Sequence, residues 1–171
     1  MKTEIQYQPA FATCTVSLES GEQLRAEGGA MVAMRDVKIE TGATGGIFKS
    51  LKRSILGGES FFQNTFTANS NNAMVMLAPA LTGDVMVREL KDEDLIVQSG
   101  AYLGSSMGIN VSTDWGGART FFGGEGLFML RCSGTGTLIT GAYGAIHEEM
   151  LRDGETFVVD SGHVVAFQAG M

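Results

Sequence analysis

The side chains best suited to metal chemistry are two histidines and an acidic pair. His147 is followed directly by Glu148 and Glu149, whereas His163 lies much further along the chain. Two imidazoles and a carboxylate can bind a metal ion, as in cupin barrels, but those sites place two histidines close together on one strand. The wide spacing here predicts ordinary surface histidines and no catalytic metal. A cupin-like metal enzyme is therefore the weakest interpretation of this sequence.

Other residue types with catalytic potential lack the context that catalysis needs. Ser105 and Ser106 lie between glycines without the strand-to-helix elbow of a nucleophilic serine. Glycines 134 and 136 are not followed by the lysine and helix of a phosphate-binding loop. Cys14 and Cys132 lie in apolar alternating segments, which predicts buried free thiols in a reducing compartment. The sequence thus predicts a protein that is not an enzyme and has no cofactor.

Composition and charge narrow the class of protein further. The 171 residues are 44% hydrophobic and 18% charged, which is enough to build a real core. The formal net charge of -7 opposes the phosphate contacts on which nucleic-acid binding depends, so a nucleic-acid partner is not expected. No window approaches the roughly 18 apolar residues of a spanning helix, and the first residues do not resemble a signal peptide. These features predict a cytoplasmic protein.

Alternating short segments predict the elements that carry these residues. Hydrophobic and polar residues alternate in Thr13–Leu18, Val85–Arg88 and Phe157–Asp160, and the chain holds 24 glycines against 2 prolines. Period-two alternation interrupted by frequent turn residues indicates an all-β fold. One segment differs, because residues 47–56 have the apolar spacing of a short helix.

One sequence motif occurs three times. GEQLRAEGGAMVAM (21–34) aligns without gaps with DEDLIVQSGAYLGS (92–105) and GETFVVDSGHVVAF (154–167). In this alignment Glu22 coincides with Glu93 and Glu155. Self-similarity of this kind indicates duplicated structural units. We refer to the stretches that contain these motifs as the first, second and third repeats.

Shared glycines and a second motif extend the alignment. Gly29, Gly100 and Gly162 coincide, which predicts equivalent turns that need a positive φ or a close backbone approach. GGESFF (57–62) recurs as GGEGLF (123–128), so the first two repeats each have a second half. The predicted organisation is one compact domain, 1–171, with units of approximately 1–70, 71–133 and 134–171. The third unit lacks its second half.

The order of these motifs resembles the altered-inheritance-of-mitochondria 24 family. The resemblance covers essentially the whole chain, including GGIFKSLKRSILGGESFF, the MVREL and DEDLIVQSGAYLG block, and GGARTFFGGEGLF followed by SGTGTLITGAYGAI. It implies tandem short double-stranded β-helix units, each similar to a subunit of the tryptophan RNA-binding attenuation protein (TRAP), around a pseudo-threefold axis. It implies no enzymatic activity, and fold alone transfers neither tryptophan nor RNA binding. Relatives usually continue with one more GGE-like half-unit.

Two functional interpretations of different classes follow. The preferred one is a non-enzymatic scaffold or interaction protein that self-associates, binds a protein partner or contacts a membrane surface. The alternative is a small-ligand binding module with a pocket between β units. The candidate membrane or partner contact is a basic amphipathic turn in this acidic chain, made by Phe48, Lys49, Leu51, Lys52 and Arg53.

Overall fold

The computed structural model describes residues 1–41, 61, 63–112 and 128–171, and their fold is all-β. The all-β prediction is confirmed. The helix predicted at 47–56 lies outside the described residues, as do both GGE motifs except for Phe61 and Phe128.

The described strands are short, apart from two long ones. In chain order they are β1 Lys2–Gln6, β2 Thr13–Leu18, β3 Gln23–Glu27, β4 Met31–Arg35, β5 Val37–Thr41, β6 Gln63–Ala68, β7 Ala73–Leu77, β8 Gly83–Gln98, β9 Tyr102–Ser106, β10 Ile109–Ser112, β11 Met129–Tyr143 and β12 Ala166–Gln168. Single 3-10 turns at Ser99–Ala101 and Ser161–His163 lie within the second and third motifs.

The strands form two antiparallel sheets. One sheet has the order β1-β2-β7-β4, and the other has the order β12-β8-β11-β9-β3-β6-β5, with β10 also paired to β11. Alternation places one face of each strand in the core, as in β2, where Cys14, Val16 and Leu18 are all buried. The first repeat supplies most of one hydrophobic cluster, and the second supplies most of another.

Strand register inside the first two repeats is the same. Leu24 pairs with Phe66 in the β3–β6 ladder, and Leu95 pairs with Cys132 in the β8–β11 ladder. Leu24 and Leu95 coincide in the alignment of the first motif, and Phe66 and Cys132 coincide when the GGE alignment is continued without a gap. Every pair of the β3–β6 ladder has an equivalent pair in the β8–β11 ladder when the same two alignments are applied. The two repeats therefore share a local topology. They differ in one respect: turns separate β2 from β3 and β6 from β7 in the first repeat, whereas the equivalent strands β8 and β11 continue without such a turn.

Strand register between repeats is also repeated. β9 of the second repeat pairs with β3 of the first, and Ala26 lies opposite Gly104. β12 of the third repeat pairs in the same way with β8 of the second, and Val97 lies opposite Ala166. The remaining pairs of each ladder obey the same alignment. The second and third repeats thus each add one strand to the sheet of the repeat before them.

The repeated turn glycines do not adopt the predicted conformation. Gly29, Gly100 and Gly162 lie in turns at equivalent places, but none has a positive φ. A Cβ would meet nothing at Gly100 and would meet only a carboxylate group at the other two, with the nearest oxygen at 3.2 Å and 3.6 Å. The prediction of positive φ or close backbone approach is wrong for these three residues, because each turn uses an ordinary backbone conformation.

The left-handed residues of the motif lie at its first position. Gly21, Asp92 and Gly154 are equivalent in the three motifs, with φ of 81°, 61° and 76°. Aspartate tolerates this conformation better than most residues do. Asp92 lies opposite the register shift between Gly134 and Thr135, so the second repeat has a bulge where the other two have a turn.

Candidate functional site

The third motif contains a segment, residues 155–160, that has a strand-like sequence and no strand partner among the described residues. We call it the third-repeat segment. Phe157 is 52% exposed, whereas its equivalents Leu24 and Leu95 are 0% and 4% exposed. Val159 is 45% exposed, although Ala26 and Val97 at the same repeat position are fully buried. Apolar side chains at the same motif positions are therefore buried in the first two repeats and exposed in the third.

The turn before the third-repeat segment is fully formed. The amide of Glu155 donates to the carbonyl of Arg152 at 3.0 Å, and the carboxylate of Glu155 accepts from the Arg152 amide at 2.9 Å. Glu19 and Glu22 make the same two bonds in the first repeat, at 2.9 Å and 2.8 Å. Local sequence thus sets the direction of the segment even where no neighbouring strand holds it.

A second open edge lies on β4. Among the described residues β4 is an outer strand, paired on one side with β7. Val32 and Met34 on this strand are 57% and 44% exposed. The equivalent strands β9 and β12 both pair with the preceding repeat. An outer strand with exposed apolar side chains is a template for further pairing.

A buried polar network joins the first and second repeats. The Gln63 amide donates to the Tyr102 hydroxyl at 2.8 Å, and that hydroxyl lies 2.8 Å from the Ser105 hydroxyl. Arg25 donates to the carbonyls of Met107 and Ile109 at 3.0 Å and 2.7 Å. Burial raises the pKa of Tyr102, so the phenol stays neutral and acts as a hydrogen-bonding group. These contacts favour one strand register at the junction between the first and second repeats.

The two histidines do not come together with a carboxylate cluster. His147 contacts Glu149 at 3.1 Å and His163 contacts Asp160 at 3.3 Å, and both rings are more than three-quarters exposed. Within the described part of the chain, no group of three metal-ligating side chains converges. His163 occupies the position of the buried Ala30 and replaces a core residue with a surface one.

Both cysteines are buried free thiols, as the alternating sequence predicts. Cys14 lies in β2 and Cys132 in β11, each fully buried and unpaired. Burial raises the pKa of the Cys14 thiol to about 11 and that of Cys132 to about 12. Since the thiolate is the reactive form, neither side chain is suited to nucleophilic chemistry at neutral pH.

A shallow depression of about 620 Å³ lies where the second and third repeats meet. Its walls are Glu93, Asp94, Arg131 and residues 168–170. Arg131 donates from Nε to a carboxylate oxygen of Asp94 at 2.9 Å, so the arginine charge is already matched. The position fits the small-ligand alternative, but the charges that would bind a ligand are engaged with each other.

The predicted basic contact lies outside the described residues. Its residues are Phe48, Lys49, Leu51, Lys52 and Arg53, and a membrane or partner role for them stays a prediction. In the part of the chain with a described structure, no helix has the length and apolar character needed to cross a bilayer.

Sequence reasoning named the motif that contains the third-repeat segment but did not single the segment out. The alternating pattern shared with the other two motifs predicts that Phe157 and Val159 face inward like their equivalents. Alternation shows which face of a strand is apolar, but it does not show whether a neighbouring strand covers that face.

The geometry defines an all-β protein of tandem, strand-paired repeats, and comparison with known proteins places it in a family. Residues 3–171 match the family model described as "Mitochondrial biogenesis AIM24", and the chain belongs to this AIM24 family. It is 30% identical to the uncharacterized protein M6_Spy0233 of Streptococcus pyogenes serotype M6, over 98% of this chain and 70% of that protein. The crystal structure of protein SPYM3_0169 from Streptococcus pyogenes superposes with a TM-score of 0.77 at 27% identity, over 99% of this chain and 76% of that chain.

Proposed function

We propose that this protein is a non-enzymatic scaffold or interaction protein whose partner-binding surface is the third-repeat segment. The supporting observation is the exposure of Phe157 and Val159 at positions that are buried in both other repeats. Such a segment offers unpaired backbone groups together with an apolar face. A strand added by a partner forms hydrogen bonds with these backbone groups and covers the apolar face, which is a general mode of protein recognition.

The platform behind this surface is a three-unit arrangement of the TRAP-like kind. Two inter-repeat ladders share one register, and the same alignment defines a third ladder, between β4 and the third-repeat segment. In that ladder Val159 lies opposite Ala33 and Phe157 lies opposite Arg35. Pairing of these two open edges completes a pseudo-threefold ring of short double-stranded β-helix units and leaves one edge of the segment for a partner.

Disulfide trapping tests the ring. In the double variant Ala33→Cys, Val159→Cys, oxidation should link the two positions within one chain, because directly opposed Cβ atoms lie about 5 Å apart, close to disulfide range. Non-reducing electrophoresis and mass spectrometry detect the product. The matched control is Ala33→Cys with Val158→Cys, in which the second thiol points to the other face and no link is expected. A link between two molecules, or equal linking of both variants, contradicts the ring.

Native mass spectrometry of protein purified from its own cells tests the interaction role. We expect assemblies heavier than one chain, containing either further copies or a bound polypeptide. The double variant Phe157→Asp, Val159→Asp should lose them, because charges on the apolar face prevent its burial. Val158→Arg should retain them, since the first repeat carries Arg25 at this position. A single-chain mass for all proteins would overturn the proposal, and a retained metal or small ligand would favour the alternatives.

A further inference from the structure

We propose that four equivalent positions at each junction between repeats determine which strands pair across it, so that β9 pairs with the first repeat and β12 with the second. At the junction of the first and second repeats these positions hold polar side chains. At the junction of the second and third repeats they hold apolar side chains. This pairing rule acts within the chain and is independent of the partner-binding role of the third-repeat segment.

The polar set consists of Arg25, Gln63, Tyr102 and Ser105. Arg25 and Gln63 lie on β3 and β6 of the first repeat, and the other two lie on β9 of the second. The Tyr102 hydroxyl accepts from the Gln63 amide and shares a hydrogen bond with Ser105, and Ser105 lies opposite Arg25 in the β3–β9 ladder. Gln63, Tyr102 and Ser105 are each at most 4% exposed. The first junction is therefore held by buried hydrogen bonds that cross from one repeat to the other.

The apolar set occupies the same four positions at the second junction. In the two motif alignments Arg25, Gln63, Tyr102 and Ser105 correspond, in that order, to Ile96, Met129, Val164 and Phe167. Ile96 and Met129 form a separate buried cluster, and Val164 and Phe167 pack against it. Phe167 lies opposite Ile96 in the β12–β8 ladder, the same register as at the first junction. One geometry therefore carries two different chemistries.

Exchanging the paired strands would leave buried polar groups without partners. With β12 on the first repeat, Val164 would take the place of Tyr102, and the Gln63 amide would lose its acceptor. With β9 on the second repeat, the Tyr102 hydroxyl would face Met129 and lose the amide that donates to it. A buried polar group without a partner is costly, so the polar set disfavours the wrong pairing as well as favouring the right one. Similar repeats in one chain could otherwise exchange strands within or between molecules.

Arg25 adds a second element of recognition at the first junction. Its guanidinium donates to the carbonyls of Met107 and Ile109, in the turn and strand that follow β9. Ile96 at the equivalent position has no donor on its side chain. The first repeat therefore recognises β9 together with the chain that follows it.

A double-mutant cycle tests the polar match with conservative changes. Gln63→Met and Tyr102→Phe each remove one side of the hydrogen bond that crosses the junction, and the double variant leaves an apolar contact like that of Met129. We expect the two substitutions to be coupled by at least about threefold in the equilibrium constant of unfolding, because residues of one hydrogen-bond network are not additive. Urea unfolding of the parent and the three variants measures this coupling. Additive effects overturn the pairing rule.

Hydrogen exchange measured by mass spectrometry tests whether each set acts on its own strand. Gln63→Met should speed exchange in residues 102–106 by about tenfold and leave residues 166–168 near the parent, because only the first junction is opened. Met129→Gln is the matched variant at the second junction, where Val164 offers no hydroxyl to the new amide. Its main effect should fall on residues 166–168. Equal acceleration of both strands in both variants overturns the rule, because it would mean a general loss of stability.

A swap of side-chain sets tests the choice of strand directly. Tyr102→Val with Ser105→Phe gives β9 the apolar pair of β12, and exchange in residues 102–106 should rise. Adding Arg25→Ile and Gln63→Met supplies the matching apolar set and should restore slow exchange. A full swap that protects β9 no better than the half swap contradicts the rule. If neither swap folds, the cycle of Gln63→Met and Tyr102→Phe decides, with coupling for the rule and additivity against it.

Discussion

Replacing Leu24 with alanine should lower the free energy of unfolding by about 2–5 kcal/mol, the usual range for truncating a buried leucine. Leu24 has no exposed surface and lies in a hydrophobic cluster that contains residues of both sheets. Leu95, at the same position of the second repeat and 4% exposed, should show a loss of the same order. Urea unfolding followed by circular dichroism measures both.

Phe157→Ala is the matched control for these variants because it changes the same motif position where the side chain is open. Because 52% of the Phe157 surface is exposed, its truncation should lower the free energy of unfolding by less than about 1 kcal/mol. A loss as large as that of Leu24→Ala would mean that Phe157 is buried in the protein in solution. For protein that is a single chain by native mass spectrometry, the third-repeat segment would then already be covered, and the proposed docking surface would be wrong.

Much of the fold was predictable because strand alternation is a local property. The sequence of β2 places Cys14, Val16 and Leu18 on one face, and those three side chains are buried. The motif alignment also predicted which residues are equivalent, and the ladders of the first two repeats share that register. Alternation and self-similarity need no knowledge of distant contacts, so both can be recognised in one sequence.

The partner of each strand was not predictable in the same way. Phe157 and Val159 have the pattern of a core strand but lie exposed, because burial depends on a neighbouring strand supplied by another part of the chain. Register and pairing are tertiary properties, and the same alternation suits a central strand, an edge strand and a segment without a neighbour. The candidate site therefore appears only when the three repeats are compared in space.

Glycine roles were also hard to assign from the sequence. A glycine shared by three motifs suggests a special backbone conformation, yet the left-handed position is the one held by Gly21, Asp92 and Gly154. A side chain is tolerated at that position in the second repeat, and glycine is not required at Gly100. Gly108 and Gly134 are sterically demanding although no repeat marks them, since the β9–β10 turn and β11 approach each other closely at these two residues.

Gly108→Ala should destabilise the protein by about 3 kcal/mol, near the upper end for an inserted methyl group in a tightly packed place. A Cβ on Gly108 would lie 2.1 Å from the backbone carbonyl oxygen of Thr135. The facing Gly134 has a φ of 112°, and a Cβ there would lie 2.5 Å from the Gly108 carbonyl oxygen. Both obstacles are backbone atoms, so relief requires the β9–β10 turn and β11 to separate.

Gly100→Ala provides the opposite expectation at the glycine that the motif emphasises. A Cβ there meets nothing within 4 Å and φ is not positive, so alanine fits the native backbone. Alanine also restricts the unfolded chain, which should leave Gly100→Ala as stable as the parent or up to about 1 kcal/mol more stable. Urea unfolding of the two variants compares them directly. Equal losses would show that the repeated glycine has a backbone role, whereas a loss confined to Gly108→Ala locates the close approach between the β9–β10 turn and β11.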